Sequence, residues 1–355
     1  MRSPVHIRFV SSTLIVAAFA FTDSRAAEPS KEYPLWDGHE SVADYAQRVN
    51  LPPAKSLELG NGVKLELVLI PAGKFVMGTP EPEKAVVGQT MTGISGGLLL
   101  LVVAVWLVRA WRHRKRPQFS MGLMLVMTFV AAVGVWGGVR WNEALKHQYY
   151  FSAEHPARPV TLTQPFYLGK YAVTQEQYQT VIGTNPSNFK GTDKPVENVS
   201  WDDAQAFCKK VTEQTNSSVG LPTEAEWEYA CRAGTRTEFY SGDVESDLDR
   251  VAWYAANSKR TPHPVGQKEP NNFGLYDMHG NIWQWCQDLW EENYANLPNE
   301  NPQGPAEGAY RVLRGGSWNL NPVDSRSARR VRHDPVQRHY LFGMRVRLVP
   351  AFGAR

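Results

Sequence analysis

The stretch NNFGLYDMHGNIWQWCQDLW, from Asn271 to Trp290, decides how this chain is read. It belongs to a region of long connections rich in asparagine, proline, glycine and tryptophan. Asp277, the backbone around Gly280 and Ile282, and the Gln284 side chain can converge as hard oxygen donors, a set that suits calcium. The same residues equally make an ordinary glycine-rich turn, with Asp277 as a turn residue and the tryptophans as core or groove walls. A second stretch, RGGSWNLNPVDSRSARR from Arg314 to Arg330, poses a matching choice. It reads either as the floor of a polar site or as a tight turn feeding a basic strand.

Upstream of both lie helices with readable starts. Thr174 with Gln177 and Thr223 with Glu226 fit a capping box, in which the hydroxyl takes an orphan amide and the longer side chain reaches back. Ser200 precedes a run in which Trp201, Ala204, Phe207 and Val211 keep one face apolar. Gly234 is placed to end the Thr223 helix. KLELVLIPAGKFVMG, from Lys64, reads as two strands joined by Pro71-Ala72-Gly73 in a hairpin, and HPARPVTLTQPFYLGKY holds two more strands. RVLRG and GMRVRLV add strands near the end. Short strands, few helices and much ordered loop argue an α+β domain and not a doubly wound sheet.

Three apolar segments bear on location. Arg2 and Arg8 precede VSSTLIVAAFAF and the small residues Ala26 and Ala27, a signal-peptide layout over 1–27. Ala85–Val108 and Pro117–Val139 contain no charged residue, and each is long enough at helical rise to cross a hydrocarbon core. They read as a transmembrane hairpin, 85–140. The basic run RAWRHRKR between them is held in the cytoplasm by the positive-inside rule, which puts the rest of the chain on the extracytoplasmic face. The pattern places 28–60 as an N-terminal segment of unread role, with a helical tendency over Ser41 to Val49. One domain is then interrupted by the hairpin, with 61–84 before it and 141–350 after it.

The chain of 355 residues is 43% hydrophobic and 21% charged, within the ordinary globular range. Its formal charge of +3 is outweighed by five cations in that one run, so the remainder is slightly acidic and offers no footprint for nucleic acid. Cys208, Cys231 and Cys286 match no zinc ribbon or redox motif, and their odd number leaves a thiol unpaired. No H-E-x-x-H, Walker loop or dinucleotide fingerprint is present. His155, His263, His279 and His333 read as hydrogen-bonding loop residues and not as metal ligands.

Taken together, LIPAGKFVMG, PFYLGKYAVTQEQY, PVENVSWDDAQAFC, LPTEAEWEYACRAG, FGLYDMHGNIWQWCQD, VLRGGSW and FGMRV closely resemble the successive signatures of the sulfatase-modifying factor family. Its founding activity is the formylglycine-generating enzyme. The resemblance runs from Leu65 to Val349 apart from the hairpin. It implies an irregular α+β domain related to C-type lectins, with structural calcium and with a variable surface loop after the FVMG strand that tolerates an insertion. Carried over, the family's calcium loop falls on Asp277, Gly280, Ile282 and Gln284. The family often has an acid at the last of these positions, so one calcium at most is expected.

In formylglycine-generating enzymes, copper(I) is held by two cysteines shortly after the GGS turn. Those positions are Leu320 and Ser325 here. Leucine has no donor and a neutral hydroxyl is a hard, weak ligand, so copper is not expected. The resemblance also makes Cys208 and Cys231 half-cystines whose usual partners fall on Val346 and Arg330, which leaves both as buried thiols. Trp283, Arg314, Ser317, Trp318, Arg326 and Arg329 are candidates for a lectin-like groove that takes a peptide, protein or glycan. Architecture accounts for Arg314, Ser317 and Trp318 equally well, and a solvated basic strand for the other arginines. The expectation is a membrane-tethered, non-catalytic recognition or scaffold module. The alternative is an oxidase acting on a sulfatase cysteine or another substrate through a non-standard site.

Overall fold

In the computed structural model, which describes residues 33–80 and 151–350, helices begin where a side chain can take an orphan amide. Helix α1 (Val42–Val49) follows Ser41, whose hydroxyl accepts from Asp44 N–H, and closes on left-handed Asn50. Helices α2 (Gln175–Ile182), α3 (Trp201–Thr215) and α4 (Glu224–Arg232) each carry a complete capping box, built on Thr174, Ser200 and Thr223. Each such cap stabilises its helix by about 1 kcal/mol. Helix α4 stops at Ala233, which takes the left-handed conformation one residue before Gly234. Helix α5 (Glu245–Val251) completes the set.

The strands form three sheets. Five strands run in the order β1-β2-β5-β11-β6: β1 (Ala54–Gly60), β2 (Val63–Ile70), β5 (Phe166–Gly169), β11 (Arg347–Leu348) and β6 (Val219–Gly220). A second sheet orders β10 (Phe342–Met344), β7 (Trp283–Leu289), β8 (Arg311–Arg314) and β9 (Arg330–His333), with β10 parallel to β7. Strands β3 (Gly73–Met77) and β4 (Arg158–Leu162) pair only with each other.

One expectation is corrected. Strands β2 and β3 do not form a hairpin about Pro71-Ala72-Gly73, because β2 is already flanked by β1 and β5, and β3 pairs with β4. The described part of the N-terminal segment whose role the sequence left unread packs into the domain. Strand β1 is the outer strand of the large sheet, and Tyr33, Tyr45, Ala46 and Val49 lie in the core.

Alternation in β2 buries Leu65, Leu67 and Leu69 on one face, against Ala204, Phe207 and Val211 of α3 in the same apolar cluster. Tyr178 of α2 stacks on Phe207 with ring centroids 5.6 Å apart. A second cluster gathers Trp227, Tyr229 and Ala230 of α4 with Phe166, Leu275 and Cys286. Every residue of α4 is buried, its glutamates included.

The ends of the two described segments meet. Thr79 N–H donates to Glu154 O (3.1 Å) and Thr79 Oγ1 to Glu154 Oε2 (2.7 Å), while His155 Nδ1 lies 2.8 Å from Thr79 O. Arg326 closes on the same point, with both Nη atoms 2.6 Å from the buried Glu154 carboxylate and its guanidinium 3.8 Å from the Phe151 ring centroid. Gly78 N–H donates to Glu228 Oε1 of α4 at 2.9 Å. This stitch fixes the two chain ends regardless of what joins them, and closing a short loop between adjacent ends costs little. Replacing 81–150 with a short glycine-serine linker is therefore expected to leave a folded domain. A melting temperature lowered by more than about 5 °C on that replacement would show that the domain depends on the removed residues.

The signal segment (1–27) and the hairpin (85–140) with its basic loop lie outside the described residues. Among the described residues no helix is long and apolar enough to cross a membrane.

Candidate functional site

Strand β8 delivers Arg314 into the interior and then turns sharply. Gly315 and Gly316 have φ of +100° and +74°. A Cβ on Gly316 would sit 2.6 Å from Ser325 Oγ and 2.8 Å from Asp324 O, so only glycine lets the turn lie against the 324–325 backbone. Beyond the turn, Ser317 and Trp318 are buried.

The arginines expected to line a groove are instead internal. Arg314 is fully buried. It pairs with Glu224 (Nε to Oε1, 3.2 Å), donates through Nη2 to Glu228, and donates through Nη1 to the carbonyls of Ser327 (3.2 Å) and Arg329 (2.9 Å). Arg232 donates to Glu228 from the other side at 2.9 Å. Burial alone would raise the Glu228 pKa, but the two guanidiniums and the Gly78 amide outweigh it and hold the carboxyl below its ordinary value. Arg326 is taken by Glu154, and Arg329 lies 3.3 Å from Asp324. Trp283 and Trp318 belong to the core, each 4% exposed. Each of the three arginines is buried against a carboxylate, as burial of a cation requires.

What remains accessible beside Trp318 is an aromatic rim. Phe189 meets Trp318 edge-on at 5.2 Å, and Tyr340 lies 5.9 Å from Trp318 and 4.2 Å from His339 in a stacked pair. Phe189, Leu320 and Tyr340 are each partly exposed and pack on the core through their inner faces. The buried Glu197 carboxylate accepts from the amides of Asn188 and Phe189, the latter at 2.8 Å, and so fixes the loop that carries Phe189.

The two positions that the resemblance aligns with copper ligands differ in exposure. Leu320 is partly exposed and packs on the core, whereas Ser325 is fully buried and its hydroxyl has no hydrogen-bond partner among the described residues. The chain's cysteines are all buried and unpaired. Burial pushes the Cys208 and Cys231 thiols up to about 12 and Cys286 well above its usual value. His279 is likewise buried. Its Nε2 accepts from Tyr240 N–H at 3.0 Å, so Nδ1 carries the proton and donates to Ser325 O at 2.7 Å. Burial lowers its pKa to about 3. His155 bonds across to Thr79 O, His263 to Ser258 O within its loop, and His333, at the end of β9, to Gln337 Oε1.

The proposed calcium residues do not present a calcium site. Gln284 Oε1 accepts from Trp227 Nε1 and from Arg345 Nε, each at 2.9 Å, and its amide nitrogen donates to Asp277 O at 2.9 Å. Asp277 Oδ2 accepts from Gly266 N–H at 2.8 Å, and Gly280 O accepts from Ile282 N–H at 2.7 Å. Among the described residues no group of three or more histidine, cysteine or carboxylate side chains is gathered to hold a metal. Sequence reasoning missed Glu154, Glu224 and Glu228 as arginine partners. The signal was there in α4, where 224 and 228 share one helical face.

Comparison with known proteins places this geometry. The family model described as sulfatase-modifying factor enzyme 1-like domain matches residues 128–348. Chaperone protein LppX of Paenibacillus barcinonensis is 34% identical over 209 residues, which cover 45% of this chain and 71% of LppX. The formylglycine-generating enzyme of Thermomonospora curvata is 26% identical over 298 residues, 76% of this chain and 86% of that enzyme. The serine/threonine-protein kinase pkn1 of Chlamydia pneumoniae is 36% identical over 154 residues, but the match spans only 23% of that kinase. Among solved structures, Treponema denticola variable protein 1 superposes with a TM-score of 0.62 at 25% identity, covering 84% of this chain and all of that one. PvdO from Pseudomonas aeruginosa shares the fold with a TM-score of 0.59 at 23% identity, covering 84% of this chain and 99% of that one. With the family's motifs, its glycine turn and its irregular α+β, C-type-lectin-like architecture all present, the chain belongs to the sulfatase-modifying factor family.

Proposed function

We propose that this protein is a non-catalytic recognition module, tethered to a membrane with its folded domain on the extracytoplasmic face, and that it binds a polypeptide segment at the rim of Phe189, Leu320 and Tyr340. The observation that carries this reading is the fate of the thiols. Leu320 and Ser325 occupy the copper positions, and each cysteine of the chain is buried with a raised pKa. Thiolate is the form that exchanges with a substrate thiol and binds copper(I), and none is offered at the surface. The partly exposed aromatic pairs of Phe189 and Tyr340 with Trp318, with the partly exposed Leu320 packed on the same core, suit an apolar or aromatic side chain of a bound segment. LppX, named a chaperone, supports a polypeptide ligand over a glycan. Tethering rests on the two uncharged apolar runs, and the convergence of Thr79 and Glu154, which flank 81–150 in sequence, is compatible with it.

The full-length protein incubated with a Cys-x-Pro-x-Arg peptide, copper and oxygen is expected to leave the cysteine unchanged by mass spectrometry, beside an active relative as control. Conversion to formylglycine would overturn the non-catalytic reading and favour an oxidase with a non-standard site. For recognition, a peptide array probed with the wild type and with Phe189→Ala and Tyr340→Ala should show binders that weaken about tenfold in the variants, the loss of one anchor residue. Binders indifferent to both changes would move the surface elsewhere.

A further inference from the structure

The arrangement around Gln284 has a fixed polarity. Trp227 Nε1–H and Arg345 Nε–H are donors with no acceptor capacity, so the Gln284 atom that meets both, 2.9 Å from each, must be its oxygen. The amide NH2 then points the other way, to Asp277 O. Calcium takes oxygen ligands, roughly six to eight of them, at about 2.4 Å. Here a donor hydrogen stands where an ion would require an acceptor.

Arg345 supplies the positive charge from inside. It is fully buried and gathers carbonyls from separate parts of the chain. Nη1 donates to Gly169 O of β5 at 2.6 Å, Nη2 to Tyr276 O at 2.6 Å, and Asp277 O lies 3.4 Å from Nη2. Drawing loop carbonyls together beside an aspartate is the service a structural cation performs. Asp277 Oδ1 is the buried side-chain oxygen of this loop that lacks a hydrogen-bond partner, and alone it completes no coordination shell.

We propose that the Gln284 amide and the Arg345 guanidinium hold the 276–284 loop without metal, and that Gln284 is the residue that makes the loop indifferent to calcium. A carboxylate at 284 keeps the oxygen facing Trp227 and Arg345 and turns a second oxygen toward Asp277 in place of the NH2. That single change removes the misplaced donor and adds a negative charge.

The test uses full-length protein. Wild type dialysed against trace calcium is expected to carry no calcium by elemental analysis and to melt at the same temperature in calcium and in chelator. Gln284→Glu is expected to melt lower in chelator and to gain about 4 °C or more on calcium addition, because a ligand that binds only the folded state raises its stability. Stoichiometric calcium in the wild type, or a wild-type melt that falls in chelator, overturns the proposal outright and needs no variant to fold. A folded Gln284→Glu that ignores calcium overturns the claim that this amide is the determinant.

Discussion

Glu228→Gln is expected to destabilise the domain by about 3–5 kcal/mol, measured by urea unfolding, because it leaves buried guanidiniums without their counter-charge. The substitution keeps the shape of the side chain and removes only the charge. Glu228 is completely buried and is held by Arg314, Arg232 and the Gly78 amide. Arg314 would retain Glu224 at 3.2 Å, but Glu224 is already engaged by Arg330 through both oxygens, at 2.7 and 2.9 Å. Arg232 would keep only the carbonyls of Thr237 and Gly78, each at 3.2 Å. The network spans α4, the Gly78 turn and β8, so the loss should reach the Thr79–Glu154 stitch and expose it to protease. A change below about 1 kcal/mol, the range of an exposed ion pair, would mean that the buried charges reorganise and that the network is not structural.

The second large effect is acid sensitivity through His279. Its folded pKa of about 3 lies below the ordinary value of 6.5, so the unfolded chain binds the proton more readily. Unfolding therefore takes up a proton between those values, and the stability due to neutral His279 is present above pH 6.5 and lost as pH falls toward 3. The full loss is on the order of 5 kcal/mol. Glu228, whose pKa is depressed, adds a loss in the same direction at lower pH. Asp277 and Asp288, raised by burial, act in the opposite sense and gain stability as pH falls. The wild-type profile is the sum of these, so the histidine's share is isolated by difference. His279→Gln keeps one acceptor for Tyr240 N–H and one donor for Ser325 O without a titrating proton. The two stability profiles should converge as pH drops from 6.5, and parallel profiles would remove His279 from the account.

Which parts of this were legible in the sequence follows from how local the chemistry is. The capping boxes at Thr174 and Thr223 were readable because donor and acceptor lie within one turn of each other. The hairpin reading of 64–78 failed because strand pairing is not local. β2 and β3 are neighbours in sequence, yet their partners are β1, β5 and β4. Arg314 and Arg326 looked like free cations because their carboxylates stand 86 and 172 residues away. Gln284 was recognised as a departure from the family's acid. Its consequence depends on which way the amide faces, and that is set by Trp227 and Arg345, 57 and 61 residues distant. The aromatic rim was half seen. Trp318 was singled out, but Phe189 and Tyr340 join it only through tertiary packing.

The order of strands in the large sheet has a kinetic consequence. During synthesis β1 and β2 appear first and can pair at once, but a lone two-stranded hairpin is marginal in water. The free edge of β2 waits for β5 at Phe166, and β5 in turn waits for β11 at Arg347, near the end of the described chain. Strand β3 waits for β4, with Met77 paired to Arg158. The domain therefore cannot be assembled piece by piece as it emerges. The open edge of β2 lasts until 166–169 have emerged and that of β5 until Arg347, so the large sheet closes only as the last strands are made.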